Sequence, residues 1–199
     1  MTTPIKQEKL SPFLKVVLIV GGTIAIALWA TKTYRGLHEG WTGGGSKFKT
    51  LAEAADNAAA AANKVSREAQ PLLLQFLGDL DKMGLPAVRA QKGEAGQKLI
   101  ALFGEARDQY SAGGQKYGEA AGQTTNEKIK SFLLAKARTC RFFAEARTIN
   151  CDMVRLILND PATTTEQLIP KLQEAATRRD AAQKSAVDSD AEAEAMKPK

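Results

Sequence analysis

The sequence predicts an all-α protein: an N-terminal single transmembrane helix, a Gly-rich hinge, then a bundle of four or five helices. Three observations lead there. An uncharged, mostly apolar run fills residues 16–31. Downstream, apolar residues recur at alternating spacings of three and four, the period of one helix face. Aromatics make up only 6% of the chain while alanine is abundant, a composition that suits closely approaching helices and leaves β-strands little to pack. The boundaries follow from the composition shifts: a polar tail over 1–10, the span over 11–35, a linker over 36–48, the bundle over 49–186 and a disordered tail over 187–199.

The uncharged run is 16 residues long, about 24 Å as a helix, against a hydrocarbon core of roughly 30 Å. Phe13 and Leu14 extend it. Lys15 and Lys32 flank it and can snorkel their ammonium groups to the interface. Trp29, Tyr34 and, beyond the first glycines, Trp41 supply the amphipathic rings that favour the headgroup layer. The competing reading is a signal peptide cut near "AIA" at 25–27. Glu8 in the preceding segment and the continuation of the apolar run through Leu28 and Trp29 favour a retained anchor. Lysines and arginines are shared evenly between the two flanks, so orientation rests on the usual outcome for a short N-terminal tail, which places the domain outside the cytoplasm. Gly21 with Ala25, and Thr23 with Ala27, form the small-xxx-small pairs that let two membrane helices approach. "GLHEGWTGGGSK", 36–47, reads as the hinge.

From Lys49 onward Leu51, Ala55, Ala58, Ala62, Val65, Ala69, Leu72 and Phe76 form a heptad seam, with Pro71 expected to kink or restart the helix. "GLPAVRAQKG", 84–93, reads as a loop. A second amphipathic helix follows from about Glu94 to Tyr110, with Leu99, Phe103, Ala106 and Tyr110 on its apolar face. "SAGGQKYGEAAGQ", 111–123, reads as a glycine-interrupted connection. Thr124 and Glu127 then have capping-box spacing and open a helix running to about Leu158. That helix is apolar on two sides, one stripe holding Leu133, Cys140, Phe143, Cys151 and Val154, the other Phe142, Ile149 and Met153. It is therefore expected at the centre of the bundle. Pro161 stops it, Thr163 and Glu166 offer a second capping box, and a last helix spans roughly 164–185.

The chemistry is notable for what the sequence lacks. His38 is the only histidine and lies in the hinge, so a zinc or haem site of ordinary type, or a histidine-activated nucleophile, is not expected. "GGGSK" lacks the spacing of a phosphate loop. No catalytic residue, cofactor, metal or small-molecule substrate is expected. Cys140 and Cys151 lie eleven residues apart on one helix, roughly 16 Å along its axis, too far for a disulfide, which needs Cα atoms within about 7 Å. The net charge of +6 leaves room for an anionic partner, but 28 basic against 22 acidic residues is no polybasic tail, and nucleic acid is an unlikely partner. Basic residues concentrate at Lys128, Lys130, Lys136, Arg138, Arg141 and Arg147, facing a partner protein or lipid headgroups. Arg147 falls on the apolar stripe, so it should find a carboxylate or mark a docking edge.

These features predict a non-enzymatic, single-pass membrane protein whose helical domain binds partner proteins or its own copies. A phage-type lysis or membrane-remodelling factor and an accessory subunit of a larger membrane complex are the alternatives. In layout, one N-terminal span followed by a helical domain, the chain resembles LemA-type proteins and phage inner-membrane spanins, with no shared motif from which residues carry over.

Overall fold

The structure, a computed structural model, describes residues 46–159 and 164–197. Their regular structure is entirely helical: α1 (Ser46–Met83), α2 (Leu85–Gln91), α3 (Gly93–Ala121), α4 (Glu127–Asn159) and α5 (Thr165–Met196). The predicted span, 11–35, lies outside the described residues. Among those described, no helix is long and apolar enough to cross a membrane.

The long helices alternate in direction, and side-chain pairs fix their register. Tyr110 reaches Asn63 and Tyr117 reaches Asp56, which sets α3 antiparallel to α1. Phe132 near the start of α4 clusters with Ala193 near the end of α5, and Val154 near the end of α4 with Leu172 near the start of α5, which sets α5 antiparallel to α4. Backbone contact runs from α1 to α3, from α3 to α4 and from α4 to α5. Helix α4 is thus buried against neighbours on two sides, as its two apolar stripes require.

The seam of α1 packs as its spacing predicts, with Ala55, Ala58, Ala62, Val65, Ala69 and Phe76 buried. Pro71 neither stops nor restarts the helix. The bundle also begins earlier than the composition suggests. Phe48, assigned to the linker, is wholly buried in α1, and a phenylalanine so placed contributes roughly 1.5–3 kcal/mol. The proposed loop at 84–93 contains the short α2, entered through Gly84 at φ +79°, a conformation that favours glycine.

Four further expectations are corrected. Residues 111–121 are not a connection but the last turns of α3. Gly113 and Gly114 bring α3 close to two neighbours: a Cβ on Gly113 would lie 3.3 Å from the Ala55 carbonyl oxygen, and one on Gly114 would lie 3.3 Å from that of Ala137. Thr124 is not the cap of α4. Asn126 holds that place, its Oδ1 accepting from the amides of Lys128 at 3.1 Å and Ile129 at 3.3 Å, while Thr124 Oγ1 accepts from the Asn126 amide. The capping box of α5 sits one residue later than predicted, on Thr164 and Gln167. Finally, 187–196 is not a frayed tail. Helix α5 continues to Met196 with Ala193 fully buried.

Candidate functional site

The six basic residues singled out in the sequence do not form one surface. Lys136 is buried, its ammonium 2.6 Å from Asp190 Oδ1 and 3.2 Å from Glu194 Oε1, and it lies over the Phe132 ring at 5.6 Å. It is an internal tie between α4 and α5. Arg147 is also buried. Its Nε donates to Ser66 Oγ at 3.0 Å, and the guanidinium lies 6.0 Å from the centre of the Tyr110 ring. Neither alternative foreseen for Arg147 holds, since it has found no carboxylate among the described residues and lies at no exposed edge. Lys128 and Lys130 stand at the start of α4, the latter 3.4 Å from Glu127. Lys15, Gly21, Thr23, Ala25, Ala27, Trp29, Lys32, Tyr34 and Trp41 lie outside the described residues.

Arg138 and Arg141 come together at a different feature. A groove of about 460 Å³ opens between α3 and α4. Ser111, Gly114 and Gln115 line it from α3; Leu134, Ala137, Arg138, Arg141 and Ala144 line it from α4. The small residues at 114, 137 and 144 set its depth. Leu134, 42% exposed, is the one large hydrophobic side chain left in solvent among the described residues. Arg138 reaches Glu192 at 2.6 Å across an exposed rim, a contact that water screens. Arg141 rests on the Phe142 ring at 5.5 Å and has no carboxylate partner among the described residues. Comparisons with protein-family models, curated proteins and solved structures yield no match. The groove must therefore be read from its own chemistry.

The lining offers an apolar floor and two cations. Among the described residues no group of three histidine, cysteine or acidic side chains could hold a metal ion. The groove was missed in the sequence because its α3 wall lies in the stretch read as a connection. A signal was present: Leu134, Arg138 and Arg141 recur at i, i+4 and i+7 outside both apolar stripes of α4.

The two cysteines are free and buried. Burial pushes the Cys140 thiol up to about 12, against the opposing charge of Lys136; burial also raises that of Cys151. Both are therefore protonated and slow to react at neutral pH. A raised native value means that the folded state binds this proton more tightly. The resulting stability is complete below about pH 9 and declines as the pH climbs toward 12. In urea titrations the advantage of the wild type over Cys140→Ala should shrink as pH rises above 9. An advantage independent of pH would show that the thiol does not titrate inside the bundle.

Proposed function

We propose that this protein is a non-enzymatic, membrane-anchored adaptor whose α3–α4 groove receives a helix of a partner protein. The observation that carries the reading is the groove itself, which joins an apolar floor, an exposed leucine and Arg141, which has no carboxylate partner among the described residues. The occupant that complements it is an amphipathic helix with small or apolar residues toward Ala137 and Gly114 and a carboxylate toward Arg141. The α4 lining runs from residue 134 to residue 144, ten helical steps or about 15 Å, enough for almost three turns of a partner. The apolar run at 16–31 supports the anchor, and the glycines at 43–45 support a joint that lets the domain find its partner.

A photo-crosslinking residue placed at Leu134 of the full chain in native membranes tests this. Discrete adducts are expected at Leu134 and not at exposed Glu68 on α1, and Arg141→Glu together with Arg138→Glu should abolish them. Adducts equal at both positions, or unmoved by the charge reversal, would remove the groove from the reading. Protease treatment of sealed vesicles, followed through a C-terminal epitope, tests the anchor and the side of the membrane. A shorter soluble product would show cleavage near 25–27 instead.

A further inference from the structure

The apolar core is not continuous. One cluster joins Phe48 and Ala62 of α1 to Tyr117 of α3, Phe132 of α4 and Ala193 of α5. The other joins Ala69 and Phe76 of α1 to Phe103, Val154 and Leu172. Between them, at one height of the bundle, every long helix contributes a buried polar side chain. Ser66 comes from α1, Tyr110 from α3, Arg147 and Asn150 from α4, and Gln183 from α5. The common height follows from the register. Arg147 lies eleven residues beyond Lys136, and Arg179 eleven before Asp190, so the antiparallel register sets these two at one level, as it does Lys136 and Asp190. Gln183 is one turn along α5 from Arg179.

The charges in this layer do not balance. Arg179 is 1% exposed and is held by Asp180, whose Oδ1 accepts from Nε at 2.9 Å and from Nη2 at 2.7 Å. Arg147, also 1% exposed, has Ser66 and the face of Tyr110 but no carboxylate among the described residues, and its Nη2 has no hydrogen-bond partner. Asn150 Oδ1 and both amide atoms of Gln183 are likewise buried without a protein partner. A guanidinium keeps its charge, and taking one out of water unpaired is strongly unfavourable. Water satisfies stray donors and acceptors, but it brings no countercharge. A monoanion brings both, accepting from Arg147 Nη2 and from the Gln183 amide. The Asn150 amide, turned over, presents a further N–H to the same region. The layer lies between the two apolar clusters, so the ion that suits it is small and monovalent.

We propose that Arg147, Gln183 and Asn150 form an internal site for a chloride-sized monoanion, which neutralises the buried guanidinium and joins the two halves of the core. The inference is independent of the groove and its partner.

The test is thermal unfolding of the full-length protein in sodium chloride, sodium bromide and sodium gluconate at matched ionic strength, so that general screening cancels. Chloride and bromide are expected to raise the midpoint with concentration, each tenfold increase above the dissociation constant shifting the folding equilibrium about tenfold. Gluconate should not. Arg147→Met, which removes the charge and keeps an apolar stem, should erase the halide dependence. Gln183→Glu supplies the anion covalently and should also erase it, with a raised midpoint in gluconate. Equal midpoints in all three salts would overturn the proposal and leave water in the layer. A halide dependence that persists in Gln183→Glu would overturn it too, and this variant decides the matter where Arg147→Met does not fold. Crystals grown in bromide should show an anomalous peak beside Arg147 Nη2.

Discussion

Lys136→Ala is expected to lower the unfolding free energy by about 3 kcal/mol, measured by urea titration. The ammonium is buried between α4 and α5, 2.6 Å from Asp190 and 3.2 Å from Glu194. Breaking a buried ion pair by deleting one partner typically costs about 3–5 kcal/mol, because the remaining charge has lost its compensation. The lower end applies here: the Asp190 and Glu194 side chains are 12% and 23% exposed, so water recovers part of their solvation. Lys136→Met combined with Asp190→Leu should cost far less than Lys136→Ala, since the pair is then replaced by apolar contact instead of being cut in half. Truncation after Ala186 should be at least as damaging as Lys136→Ala, for it removes both acids together with buried Ala193. Intact stability after that truncation would return 187–199 to the disordered tail that its composition suggests.

The same pair shows where sequence reasoning reached and where it stopped. The apolar seams of α1, α3 and α4 were legible because each is a local pattern: Ala55 to Phe76, Leu99 to Tyr110 and Leu133 to Val154 announce a buried face by spacing alone. Lys136 and Asp190 lie 54 positions apart, and nothing local shows that a lysine in a basic run will be buried by an acidic tail. The tail misled for a related reason. "DSDAEAEAM" has the composition of disorder, but Ala193 is buried in the core while Asp190 and Glu194 reach Lys136. In the candidate site, Arg138 and Arg141 were legible as exposed cations. Ser111, Gly114 and Gln115 were hidden, because glycine signals a turn and a close helix contact with the same letter.

That ambiguity at 111–118 gives the second large effect. Gly113→Leu is expected to destabilise the bundle by about 3 kcal/mol, the upper part of the usual range for overpacking. A Cβ at 113 already meets the Ala55 carbonyl oxygen at 3.3 Å, the Ala59 amide nitrogen at 3.5 Å and the Ala58 Cβ at 3.6 Å. Two of these are backbone atoms and have no rotamer to yield, so three further carbons must push α1 away from α3. Gly113→Ala sets two smaller effects against each other: the crowding of one methyl group, and the gain of up to about 1 kcal/mol when alanine replaces glycine inside a helix. It should be close to neutral. Gly118→Ala separates the two, since a Cβ there meets nothing within 4 Å, leaving only the gain. Urea titrations should therefore rank Gly118→Ala above the wild type, Gly113→Ala beside it and Gly113→Leu well below. A loop across 111–121 would predict small effects at both positions. A large loss confined to Gly113→Leu would instead identify these glycines as the contact that lets an alanine-rich seam, poor in buried area, hold α1 against α3.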